Sequence, residues 1–82
     1  MENKYKLKTW TWSSFGCDTA FFYFEQPNTL LMVEYWADEN DVAPYAQHCE
    51  IDGTLIEDDF IELTEEEKAY FINVCQNKCD KN

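Results

Sequence analysis

Residues 20–36 read Ala-Phe-Phe-Tyr-Phe-Glu-Gln-Pro-Asn-Thr-Leu-Leu-Met-Val-Glu-Tyr-Trp, and few folds can hold such a stretch. Proline pre-sets the first central position of a β-turn and asparagine tolerates the second. Pro27-Asn28 between two runs of aromatic and branched residues therefore predicts an antiparallel hairpin. Successive strand residues point to opposite faces, so Phe22 and Phe24 oppose Phe21 and Tyr23, and Leu30, Met32 and Trp36 oppose Leu31, Val33 and Tyr35. Neither face is polar. Both require cover, and that requirement constrains everything the rest of the chain has to supply.

Eighty-two residues suffice for one domain, expected to span 1–82, but not for a second module. Aromatic residues make up 17% of the chain, and each can bury on the order of 150–250 Å², which offsets the small size. The remaining segments predict further strands and one helix. Residues 4–12 alternate, but Lys4, Lys6 and Lys8 share their phase with Trp10 and Trp12, so either two tryptophans project beside three lysines or a bulge resets the register. Residues 13–19 form a short loop containing Gly16. Periodicity disappears over 37–46, which predicts a surface loop with a helical turn capped by Asn40 or Asp41. Asp52-Gly53 between 47–51 and 54–57 predicts a two-residue hairpin turn, followed by an acidic corner at Glu57, Asp58 and Asp59 and an extended stretch over 60–63.

The C-terminal segment carries the clearest helix signal. Thr64 with Glu67 three residues on is a capping box. Glu65, Glu66 and Glu67 crowd the first turn and Lys78 the last, as the helix dipole favours. Phe71, Val74 and Cys75, with Ile72 and Cys79, form the apolar stripe. The expected architecture is α+β: an antiparallel sheet of four to five strands with one C-terminal helix packed on one face. One helix covers one face. The other needs the 37–46 loop, a second copy of the chain or another partner.

Charge narrows the choice of function. Seventeen Asp and Glu stand against six Lys, with no Arg, giving a net charge of −11, and residues 9–67 hold fifteen of the acids and no Lys. Such a surface repels phosphate backbones and anionic membranes, so direct binding to either is not expected, whereas a basic protein would be attracted. The same acidity could serve only to keep an aromatic-rich chain soluble. The longest apolar run is five residues and the N-terminal residues have no apolar leader segment. The expectation is a cytoplasmic protein with reduced cysteines.

Chemical sites are weakly supported. Cys75 and Cys79 share a helical face, and Cys17, His48 and Cys49 are available elsewhere, but the close Cys-x-x-Cys pairs of structural zinc sites are absent and Cys75 falls on the core stripe. A Cys75–Cys79 disulfide would require unusual geometry within a helix. His48 and Cys49 are adjacent in a strand and cannot form a dyad. Residues 38–43 lack the fifth-position oxygen ligand and the glycine of a calcium loop. With only Gly16 and Gly53 there is no phosphate-cradling loop. No metal, no cofactor and no enzymatic activity are expected.

The sharper expectation is a small binding protein of the kind phages and mobile elements use as inhibitors, presenting carboxylates that mimic nucleic-acid charge to a basic nucleic-acid-binding target. Asp38, Glu39, Asp41, Glu57, Asp58, Asp59 and Glu62 would supply the charge, and Trp10, Trp12, Tyr35 and Trp36 the apolar anchors. The competing expectation is an interaction module whose second sheet face forms a homodimer or subunit interface.

Overall fold

The computed structural model describes residues 5–13 and 18–79, which form six strands and one helix. In chain order these are β1 (Lys6–Trp12), β2 (Thr19–Gln26), β3 (Thr29–Trp36), β4 (Asp41–Val42), β5 (Tyr45–Cys49), β6 (Leu55–Glu62) and α1 (Glu65–Cys79). All pairings are antiparallel. The sheet runs β1-β2-β3-β5-β6, with the short β4 added to β3, so the strands follow one another as hairpins and β1 and β6 are its edges.

The central hairpin is β2–β3. Gln26 pairs with Thr29, leaving Pro27 and Asn28 as a two-residue turn, and Asn28 takes the left-handed conformation (φ 67°) that asparagine tolerates better than most residues. Its inward set, Ala20, Phe22, Phe24, Leu31, Val33 and Tyr35, is buried and joins Val42, Ala46 and Leu63 with Phe71, Cys75 and Cys79 of α1 in one core. Phe71 is the helix residue at its centre, with ring centroids 4.8 Å from Phe24 and 5.0 Å from Tyr5.

The register of β1 settles the lysine–tryptophan ambiguity. Leu7 pairs with Phe24 and Thr9 with Tyr23, so Lys8 is an extra residue in a β-bulge that inverts the phase. Trp10 and Trp12 thereby pass to the helix side, beside Leu7. There Trp10 stacks on Phe22 (5.0 Å, 2° between planes) and meets Trp12 edge-on.

Three local expectations are corrected. No helical turn follows Asn40: residues 37–40 turn the chain with Asn40 at φ 50°, and Asp41 and Val42 pair back onto Trp36 and Tyr35. The Val42 side chain finds a place in the core, which a surface helical turn would not provide. The Asp-Gly turn is displaced by one residue. Gly53 N–H donates to the Glu50 carbonyl (2.8 Å), so Ile51 and Asp52 occupy the turn centre and Gly53, at φ 94°, is the left-handed residue that returns the chain to β6. Asp52 secures it by accepting from Thr54 N–H (2.9 Å), and that bond holds its carboxyl below the ordinary range. Finally, 54–57 and 60–63 are not separate strands. Leu55 pairs with Cys49 and Phe60 with Gln47, leaving four residues, 56–59, opposite His48 alone. The acidic corner is thus a large bulge within β6, with Asp58 at φ 63°.

The helix begins as its sequence specifies. Thr64 Oγ1 accepts from Glu67 N–H (3.1 Å) and Glu67 Oε1 accepts from Thr64 N–H (2.9 Å). Glu67 Oε2 also accepts from the Tyr5 hydroxyl (3.2 Å), and the Tyr70 hydroxyl donates to the Tyr5 carbonyl (3.1 Å), so the start of the helix is tied to the residue that leads into β1.

Candidate functional site

The helix and the core occupy one side of the sheet. Register and alternation assign Phe21, Tyr23, Leu30, Met32, Trp36, Tyr45 and Phe60 to the other, together with the carboxylates of Glu25, Glu34, Asp41 and Glu62. Among the described residues no element lies over this face. The loop over 37–46 does not cover it either, because β4 packs against α1 on the core side. The open face is therefore aromatic in its body and acidic in its charge, with Lys6, paired to Glu25 at one end, as its cation.

Packing between neighbours hides part of this face. Leu30 and Cys49, directly paired across β3 and β5, are buried, and burial raises the Cys49 thiol pKa, as it does that of the nearby Tyr23 phenol. Exposure increases towards β6. Among the described residues Tyr45 (55%), Ile51 (57%), Leu55 (51%) and Phe60 (54%) are the large apolar side chains left open, and all four belong to the β5–β6 hairpin. Interleaved with them are Glu50, Asp52, Glu57, Asp58, Asp59 and Glu62, every one exposed. Tyr45 lies directly across from Glu62, and Tyr45 and Phe60 line a surface depression of about 290 Å³.

A second depression, of about 200 Å³, lies where Thr19 pairs with Trp36, lined by these two residues and by Asp18, Asp38 and Glu39. The indole is fixed by its Nε1–H, which donates to Glu34 Oε2 at 2.7 Å. The turn over 37–40 thus brings the expected residues Asp38 and Glu39 beside Trp36 and adds Asp18, which sequence reasoning missed. Asp41 shares the face with Trp36 and uses Oδ1 to accept from Val42 N–H (2.8 Å).

The other expected anchors lie elsewhere. Tyr35 is 3% exposed and belongs to the core, because its parity along β3 turns it towards Ala20 and Val42; its hydroxyl donates to Asn40 Oδ1 (2.7 Å) and steadies the turn. Trp10 and Trp12 are half-buried on the helix side, so they cannot share an interface with Trp36. Glu57, Asp58 and Asp59 occupy the β6 bulge, where Asp59 Oδ1 meets His48 Nδ1 at 3.0 Å. Tyr45 and Phe60, the most open aromatics among the described residues, were not singled out by the sequence; the small Ala46, inward-facing between them in register, is the one local sign that Tyr45 faces out.

The groups that could carry chemistry are dispersed. Cys75 and Cys79 are buried against the core, where desolvation pushes the Cys75 pKa far up, and Cys49 lies on the opposite side of the sheet. His48 is engaged by Asp59, and Cys17 lies outside the described residues. Among the described residues no three His, Cys, Asp or Glu side chains converge on a position that could hold a metal ion. No described helix is long and apolar enough to cross a membrane. Comparison with protein-family models, with curated proteins and with solved structures finds no match.

Proposed function

We propose that this chain is a non-enzymatic binding protein that docks its open sheet face on a basic, nucleic-acid-handling protein and competes there with the phosphate backbone. One observation carries the reading: among the described residues the exposed large apolar side chains all lie on the β5–β6 hairpin and alternate with exposed carboxylates. Apolar anchors of this kind supply affinity, while a carboxylate rim accelerates encounter with a positive surface and repels acidic competitors. Within the β6 bulge and beyond it, Glu57, Asp58, Asp59 and Glu62 gather four carboxylates at a sheet edge.

The test is retrieval of host proteins on the immobilised chain, with salt and nucleic acid as competitors. The expected partner is a basic nucleic-acid-binding protein that is released by duplex or single-stranded nucleic acid and whose affinity falls steeply between about 50 and 200 mM salt. A partner that is indifferent to both overturns the proposal. Self-association of the chain through the same face, retained at high salt, would replace it with a homodimeric interaction module.

A further inference from the structure

We infer that the depression between Tyr45 and Phe60 is a slot for an arginine side chain of the partner; the inference rests on the reading above that the partner is basic. The two rings are more than half exposed and line the depression from adjacent strands. Neither packs on another described ring, unlike the rings of Tyr5, Trp10, Phe22, Phe24 and Phe71. Glu62 pairs directly with Tyr45 across β5 and β6, which sets an exposed carboxylate on the same face beside the apolar slot.

That combination selects among cations. A guanidinium is planar and weakly hydrated, stacks on aromatic faces and can still present paired N–H donors to a carboxylate at its edge. A lysine ammonium is compact and strongly hydrated, and an apolar slot returns little for the water it would shed. The chain has no arginine of its own to fill the site, and its lysines fall outside 9–67. The described lysines also lie outside β5 and β6: Lys6 and Lys8 are on the opposite edge strand, Lys68 pairs with Glu65 on the helix (3.3 Å), and Lys78 is in the last turn of the same helix.

The experiment compares blocked oligoarginine and oligolysine peptides of equal length on the intact chain, by calorimetry and by NMR of the side-chain protons. The arginine peptide is expected to bind about three- to fivefold more tightly, the factor given by one exposed cation–π contact, and its guanidinium protons to shift upfield as they enter the ring faces. Tyr45→Ala and Phe60→Ala should abolish that preference while leaving salt-dependent binding of both peptides, Phe60→Tyr should retain it, and Glu62→Gln should reduce it. Equal binding of both peptides, unaffected by the ring substitutions, overturns the slot while leaving the basic-partner reading intact. Failure of both peptides to bind overturns both readings.

Discussion

Two phenylalanines of identical chemistry stand in opposite environments, and replacing each by alanine measures the division of the sheet into a core face and an open face. Phe71 is fully buried and touches Tyr5, Phe24 and Tyr70. Its removal takes away the transfer free energy of the ring and leaves a cavity between β2, α1 and the residue that leads into β1, at a cost of about 3–5 kcal/mol. A chain of 82 residues has roughly 4–12 kcal/mol of stability in total, so Phe71→Ala consumes much of it. Phe60 is 54% exposed and leaves no enclosed void. Since full burial of such a ring is worth about 1.5–3 kcal/mol, Phe60→Ala should cost at most about 1.4 kcal/mol. Urea unfolding followed by fluorescence of the three tryptophans reads both, as a fall in midpoint with an unchanged slope. The thermal midpoint should fall by at least about 12 °C for Phe71→Ala and by only a few degrees for Phe60→Ala. Comparable losses would mean that the β5–β6 rings are covered, and the open-face assignment would be wrong.

Other outcomes follow from the same structure. Thr64→Ala should destabilise by about 1 kcal/mol through the lost cap, and Glu67→Ala by roughly 0.5–1.5 kcal/mol more, because Glu67 also holds the Tyr5 hydroxyl; chemical denaturation of both variants and of Tyr5→Phe apportions the terms. The Cys75 pKa is raised by burial, so its contribution to stability is fully present below the unfolded thiol pKa. Above about pH 8.5 the unfolded chain releases that proton while the folded chain keeps it, and stability should fall with rising pH by up to about 1.4 kcal/mol per unit until the folded pKa is passed. The raised Tyr5 and Tyr23 phenols add a loss in the same direction from about pH 10. A thermal midpoint that holds or rises between pH 8 and pH 10 would contradict this. With a net charge of −11 the thermal midpoint should also rise with added salt; a fall would show that lysine–carboxylate pairing outweighs self-repulsion.

Features governed by neighbouring residues were legible in the sequence. The capping box of Thr64 and Glu67, the Pro27-Asn28 turn and the division of the central hairpin into two apolar faces are each specified within a few positions, and the structure contains all three, although the sequence did not say which face turns inward. The sequence also posed the β1 problem in the right place, because lysines and tryptophans in one phase demand either exposed indoles or a bulge, and Lys8 is the bulge. What was not legible depended on distant partners. Four residues of β6 fit opposite His48 only because β5 lies there, and Asp-Gly moved off the turn centre because Gly53 is the residue that takes the left-handed angle. Tyr35 and Trp36 are neighbours of similar character, and only the parity set by β2 and β4 sends one into the core and the other to the open face.

The same parity locates the docking face, and one matched pair of substitutions tests it directly. Phe60→Asp and Asn73→Asp add the same single charge, the first on the open sheet face and the second on the exposed side of α1. Binding of each to the retrieved basic partner should be measured at one fixed ionic strength. The account predicts a loss of at least about tenfold for Phe60→Asp, the scale of one apolar anchor, and affinity within about twofold of the parent chain for Asn73→Asp. Equal affinities for the two variants would contradict it.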